Sequence, residues 1–148
     1  MEELLKVGVA AIAGIGIIAS LYVRWRNNFS VASRDFRNAL IPELTALESK
    51  GELPSPIDDY LRATLPKHRQ AAAMFEPHVL WWRRACFRRA WNQYHSGNDR
   101  IHDWLGLTGE ESYFAEYIGV EFTEGGSAKS ARALAAKRLR AVLSYASA

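Results

Sequence analysis

The residue types that most often bind metals are concentrated between residues 95 and 103. His95, Asp99, His102 and Asp103 fall within nine residues, and imidazole and carboxylate groups are common ligands of zinc and iron. Their spacing matches none of the recognised metal-binding patterns, including the helical pair of histidines with an intervening glutamate. We therefore interpret this segment as a solvated turn with capping residues, and we expect neither a metal nor another cofactor.

Cys86 is the only thiol of the chain, and one of the four histidines beside it would complete a minimal nucleophile and base. The apolar pattern between residues 79 and 94 places Cys86 on the core side of a helix, where a thiol is normally inert. The segment Gly106–Gly109 lacks the lysine and the length of a phosphate-binding loop. A single cysteine also excludes an intrachain disulfide. We therefore predict that the protein is not an enzyme.

Trp81 is the leading candidate for binding another molecule. A helix through this region places Trp81 opposite the apolar side, between Arg84 and Arg88, and exposed Trp and Arg dominate binding hot spots. We predict that Trp81, Arg84 and Arg88 contact a protein partner. The alternative is that another helix or the acidic segment covers this face. For Arg83, within the apolar arc, we expect either a carboxylate partner between residues 103 and 124 or a stem that reaches the rim.

Residues 7–23 form an apolar segment, VGVAAIAGIGIIASLYV, with no charged side chain. As a helix it would be about 25 Å long, slightly short of a hydrocarbon core of about 30 Å. Glu2 and Glu3 disfavour a cleaved signal peptide, a core helix is rarely apolar on every face, and an interfacial helix would need a charged face. We predict a membrane anchor with its flank over residues 1–27 and a helical domain over residues 28–148. The anchor residues are Val7, Ile12, Ile15, Ile18, Leu21, Tyr22, Arg24, Trp25 and Arg26.

The charges beside the apolar segment predict its orientation. Lys6 is the one cation before it, whereas Arg24, Arg26, Arg34 and Arg37 follow it. The positive-inside rule then places the N-terminus outside and the domain in the cytoplasm, at the inner face of the membrane. An unpaired cysteine suits that reducing compartment.

Small residues inside the apolar segment permit a second interpretation of its role. Ala10 with Gly14, and Gly16 with Ser20, are spaced four apart, which allows two helices to approach closely in a membrane. A homodimer through this helix is therefore one option, beside a monomer in the bilayer.

The remainder of the chain predicts a small all-α bundle, because no segment alternates as a strand does. The apolar spacing from Phe29 to Leu47 is helical, and Pro42 either kinks that helix or restarts it after Leu40. We expect the next helix to end before Pro66, another helix to begin there, and Pro77 to interrupt that one. The C-terminal helix spans residues 127–145, and its predicted apolar face consists of Ala131, Leu134, Ala135, Ala141, Val142 and Tyr145. The predicted core face of the central helix consists of Val79, Leu80, Trp82, Cys86, Phe87, Ala90, Trp91 and Tyr94.

Several short motifs resemble those of a group of small bacterial proteins. They are F-x-x-A-L-x-P-E-L at 36–44, H-x-x-A at 68–71, F-x-P at 75–77, F-x-x-A-W-x-x-Y at 87–94 and L-S-Y-A at 143–146. The resemblance is to uncharacterised proteins in which an N-terminal membrane segment precedes an all-helical domain. It implies a bacterial origin and an α-helical domain, and it implies no catalytic role.

Charge is segregated along the chain although the net charge is only +3. Residues 62–100 and 127–148 are basic, and residues 101–126 are acidic. The simplest interpretation is that these segments neutralise one another, which argues against nucleic acid as a partner despite a pI near 9.2. The sequence therefore predicts a membrane-anchored adaptor that binds a protein. The alternative is a membrane-tethered binder of polyanions, either nucleic acid or anionic lipid headgroups.

Overall fold

The computed structural model describes residues 2–49, 51, 57–97, 113–122 and 128–147, with side chains of the first helix described from Gly16 onward. All regular elements of these residues are helical, which confirms the all-α prediction. The helices are α1 (Glu2–Glu48), α2 (Ile57–Phe75), α3 (Trp81–His95), α4 (Ala115–Phe122) and α5 (Ala128–Leu143). Short 3-10 turns follow α2 at Glu76–His78 and α5 at Ser144–Ala146.

Helix α1 runs without interruption through Pro42 and is about 70 Å long at 1.5 Å per residue. The proline removes the hydrogen bond to the carbonyl of Asn38, an exposed residue whose carbonyl water can satisfy. Leu40, Glu43 and Leu47 are buried around it. Packing on both sides of Pro42 therefore keeps the helix continuous, and a restart after Leu40 does not occur.

Helix α2 likewise continues through Pro66, so the predicted stop before this proline was wrong. Pro66 is exposed, while Leu65 and His68 beside it are buried. Burial of the apolar face outweighs the local preference of proline against a helix interior. The break at Pro77 is confirmed by the 3-10 turn there.

Ring contacts show that α2 runs antiparallel to α1. Near its end, Phe75 stacks on Phe36 at 4.6 Å and lies 5.8 Å from Phe29, between ring centroids. Half-way along α2, the imidazole of His68 reaches Glu43, further along α1. The end of α2 and the turn after it therefore lie beside residues 29–36 of α1.

Helix α3 runs parallel to α1. The rings of Phe87 and Phe36 are 6.0 Å apart, and seven residues later Tyr94 meets His68 at the level of Glu43, seven residues beyond Phe36. The start of α3 therefore lies at the same end of the bundle as residue 30 of α1.

Helix α5 packs on α1, α3 and α4 through a row of small and aliphatic residues. Ala131, Ala135 and Val142 are buried as predicted, together with Leu139, whereas Ala141 is exposed. At the start of this helix, Arg132 donates hydrogen bonds to the carbonyl oxygens of residues 46, 49 and 51. The C-terminal part of the chain thereby satisfies carbonyl groups that the end of α1 leaves without helical partners.

The side chains of Val7, Ile12 and Ile15 lie outside the described residues. Within the described residues, no helical stretch combines the length and the hydropathy that a membrane span requires. Further along α1, Ile18, Leu21, Tyr22, Arg24 and Arg26 are exposed. Trp25 is half-buried and stacks on Phe29 at 5.4 Å.

Candidate functional site

Two tryptophans project from the first turn of α3. Trp81 is 76% exposed and Trp82 is 58% exposed, and their rings meet edge to face with centroids 5.6 Å apart. We call this pair the Trp corner. The sequence placed Trp81 on the outside and Trp82 in the core. The predicted burial of Trp82 was wrong, because Phe87 and Tyr94 define the buried face of α3 and Trp82 lies away from that face.

Arg84 and Arg88 hold the chain that leads into the Trp corner. The Arg84 guanidinium donates from Nε to the carbonyl of Val79 at 2.9 Å and from Nη2 to that of Pro77 at 2.6 Å. Arg88 donates from Nε to Oε1 of Glu76 at 2.7 Å. Both guanidinium groups, predicted to contact a partner, thus bind the turn before α3. In the Trp corner they act as positioning residues.

For Arg83 the sequence left two alternatives, and its exposed side chain agrees with a stem that reaches the rim. Arg83 lies over the ring of Tyr145, 5.1 Å from its centroid, and no carboxylate of the described residues pairs with it. Cys86 is exposed, so the predicted burial of its thiol was wrong. Because Phe87 and Tyr94 point into the core, the helix is rotated so that Cys86 and Trp82 face outward.

A buried polar cluster that the sequence did not predict joins Glu43, His68 and Tyr94. His68 Nε2 lies 3.2 Å from Glu43 Oε2, and His68 Nδ1 lies 3.2 Å from the Tyr94 hydroxyl. Burial lowers the pKa of His68 although the Glu43 carboxylate opposes that shift, and burial raises the pKa of Tyr94. The neutral imidazole then accepts a hydrogen bond from the Tyr94 hydroxyl at Nδ1 and carries its hydrogen at Nε2, which lies close to Glu43 without an aligned hydrogen bond.

This cluster contains side chains typical of an acid–base site, but a substrate cannot reach them. His68 and Tyr94 have no exposed surface, and the Tyr117 hydroxyl donates to the carbonyl of Tyr94 from behind at 2.7 Å. General acid–base catalysis requires a group within hydrogen-bonding reach of the substrate. We therefore assign the cluster to the core, where it fixes the relative positions of α1, α2 and α3.

Of the four residues that could bind a metal by their type, the structure describes only His95. His95 is buried at the end of α3, with Nδ1 2.7 Å from the carbonyl oxygen of Trp91. Asp99, His102 and Asp103 lie outside the described residues. Within the described part of the chain, no group of three or more His, Cys, Asp or Glu residues is arranged to hold a metal ion.

Two of the concave surfaces that adjoin α1 lie along its second half. One is a groove of about 480 Å³ between α1 and α2, lined by the apolar side chains of Val31, Phe36, Met74 and Phe75 among others. The other is a pocket of about 400 Å³ on a different side of α1, where Arg26, Arg34 and Arg37 are found. Neither contains the Glu43–His68–Tyr94 cluster.

Comparison of the chain with protein-family models, with curated proteins and with solved structures finds no match. The resemblance drawn from the short motifs therefore stays a prediction, and the functional argument depends on the geometry of the chain.

Proposed function

We propose that this protein is a single-pass membrane protein whose helical domain binds a protein partner at the inner face of the membrane through the Trp corner. The observation that carries this proposal is the exposure of Trp81 and Trp82 together with their fixed position. Large exposed aromatic side chains on a braced helix end are typical of binding hot spots, because little conformational entropy is lost on binding.

The apolar end of α1 supports membrane attachment. Ile17, Ile18, Leu21, Tyr22 and Val23 are all more than half exposed, and successive 100° steps distribute them around the helix. One protein partner would cover only part of this surface, whereas a lipid environment covers all of it. With the uncharged residues before them, they form the predicted anchor, whose following arginines favour a cytoplasmic domain.

Helix α1 also joins the anchor to the core without a linker. The same helix that contains Val23 buries Phe36, Leu40 and Leu47 in the bundle. A domain attached in this way stays at a fixed height above the bilayer. Because Trp81 lies level with Ser30, seven residues beyond Val23, the Trp corner would sit about 10 Å from the end of the apolar segment.

The charge of α3 indicates what the partner presents. Helix α3 contains no acidic residue and four arginines, at 83, 84, 88 and 89, of which Arg88 is neutralised by its ion pair with Glu76. A partner that combines an apolar side chain with neighbouring carboxylates would complement both the indole rings and this charge. We therefore propose an acidic, apolar segment of another protein located at the membrane.

The exposed thiol of Cys86, four residues after Trp82, allows a direct test. A thiol-linked photo-crosslinker placed there in cells should capture one acidic partner. Trp81→Ala with Trp82→Ala should abolish this adduct, because a hot-spot Trp contributes about 2 kcal/mol or more, or roughly thirtyfold in affinity. Met74→Ala, which removes an exposed apolar side chain elsewhere, is the control. An adduct that survives in the double variant would overturn the proposal.

Attachment to the membrane is tested separately. After lysis without detergent, the full chain should sediment with the membrane fraction and resist alkaline carbonate. Ile18→Arg with Leu21→Arg should release it, since each charge is costly within the hydrocarbon region. A wild-type chain that stays in the supernatant would refute the anchor.

Anionic lipid headgroups are the second candidate, favoured by the direction of the two indole rings. Helical side chains lean towards the helix N-terminus, so the indole rings point back towards the bilayer, and tryptophan is enriched at membrane interfaces. In proteoliposomes without another protein, brominated lipids would then quench tryptophan fluorescence, and Trp81→Phe with Trp82→Phe would reduce that quenching. Quenching that is equal in wild type and variant would exclude this candidate.

A further inference from the structure

The arginine pocket beside α1 differs from the other charged surfaces of the protein. It is lined by Arg26, Arg34 and Arg37 and by the polar residues Ser30, Ser33 and Asn38, with no acidic side chain. Its volume of about 400 Å³ lies within the range of small-molecule sites. Three cations around one concavity favour an anionic occupant.

These arginines lack the partners that other arginines of the bundle have. Arg88, Arg138 and Arg140 each pair with a glutamate at 2.7 Å or closer. Within the described residues, by contrast, Arg26 and Arg37 have no ion pair. Arg34 contacts only Asp35, at 3.6 Å and with both side chains largely exposed. Such an exposed pair is weak and gives up its arginine at little cost.

Ser33 provides an independent observation at the same place. Its side chain lines the arginine pocket, only 6% of its surface is exposed, and its hydroxyl has no hydrogen-bond partner in the described structure. Buried polar groups normally have a partner. The Ser33 oxygen exposes less than 1 Å², so an oxygen atom of a bound anion would supply that partner after the side chain rotates into the pocket.

The helical spacing brings the two kinds of donor together. Arg34 follows Ser30 by four residues and Arg37 follows Ser33 by four residues, so each arginine can reach over the serine one turn earlier once Arg34 leaves Asp35. A tetrahedral oxyanion between them can accept from two guanidinium groups and two hydroxyls at once. Arginine favours phosphate because its planar N–H groups form paired hydrogen bonds with two oxygen atoms.

We propose that the arginine pocket binds the phosphate group of a small soluble molecule. The distance from the bilayer separates this source from a phospholipid. Ser30 and Ser33 lie seven and ten residues beyond Val23, about 10 and 15 Å along α1, whereas the headgroup layer is about 5–7 Å deep. This choice of source depends on the proposed anchor. The pocket itself does not depend on the anchor, because residues of α1 between 26 and 41 form it together with Ala146.

The test is titration calorimetry of the purified full chain in a neutral detergent, with inorganic phosphate and pyrophosphate as probes. We expect saturable binding that Arg34→Gln with Arg37→Gln weakens at least tenfold and Ser33→Ala weakens about threefold. Arg89→Gln with Lys129→Gln removes the same charge from exposed positions outside the pocket and should change affinity less than twofold. Equal losses in the two double variants would overturn the site, because they would indicate a general charge effect. Absence of binding to the wild type would overturn it as well.

A second arm identifies the source of the phosphate. Native mass spectrometry of the same samples measures retention of phosphatidylglycerol relative to phosphatidylcholine. We expect no preference that depends on Arg34 and Arg37. A selective, arginine-dependent retention of phosphatidylglycerol without phosphate binding would refute the soluble ligand in favour of a lipid headgroup. Loss of membrane attachment in the sedimentation experiment would leave the calorimetry unaffected, so the two proposals fail separately.

Discussion

Replacing Phe75 by alanine should remove the centre of the aromatic core. This side chain is 1% exposed and has three aromatic neighbours: Phe36 stacked at 4.6 Å, Phe87 edge-on at 5.6 Å and Phe29 tilted at 5.8 Å. The neighbours come from three points along α1 and α3, so they cannot all close the space that the ring leaves. Truncation of a buried Phe to Ala costs about 3–5 kcal/mol. We expect the upper part of that range, because aromatic pairs add to the effect of burial.

The matched control is the adjacent residue. Met74 is 68% exposed on the same helix, so Met74→Ala should change the free energy of unfolding by less than about 1 kcal/mol. Urea unfolding of the full chain in neutral detergent, followed by near-ultraviolet circular dichroism, measures both variants. For a domain of this size we expect Phe75→Ala to lower the melting temperature by roughly 10 °C or more. A loss below 1 kcal/mol for Phe75→Ala, or equal losses for the two variants, would refute the assignment of Phe75 to the core.

Three further predictions concern other parts of the bundle. Burial lowers the pKa of both His68 and His95 from 6.5, so on acidification the two imidazoles are protonated in the unfolded chain before they are protonated in the folded protein. Their contribution to the free energy of unfolding should therefore be fully present above pH 6.5 and be lost as the pH drops through the folded-state pKa values. A urea midpoint that is the same at pH 7.5 and pH 5.5 would contradict this pH dependence of stability. Gly97 has φ +71°, and an added Cβ would clash with the Glu116 carboxylate, so Gly97→Ala should cost about 1–3 kcal/mol in thermal unfolding. Unchanged stability would show that the turn adapts. Cys86 should react with a maleimide in the native state as fast as in urea, and strong native protection would contradict its exposure.

The helical class and several breaks follow from local sequence signals. Helix α2 ends just before Pro77, as predicted, and the chain then turns to begin α3. The alanine-rich spacing of α5 predicts its buried face correctly at Ala131, Ala135 and Val142. The same local rules fail at Pro42 and Pro66. At these positions buried neighbours on both sides outweigh the lost hydrogen bond, and this packing is not visible in the local sequence.

The geometry of the candidate sites depends on contacts between distant residues. A helical wheel assigns Trp82 and Cys86 to the core, but the rotation of α3 is set by Phe87 against Phe36, a contact between residues 51 positions apart. The Glu43–His68 contact likewise joins two helices. The individual residue types were visible in the sequence, whereas their pairing required the register of α1, α2 and α3.

The hydrogen bonds from Arg132 to the end of α1 can form only late in the synthesis of this chain. The three carbonyl oxygens that it caps lie more than 80 residues earlier in the chain. While the ribosome is still making α3 and α4, the side of α1 that later receives α5 remains uncovered. The nascent protein therefore leaves this side of α1 open until α5 emerges, and a chaperone would have most to protect during this period.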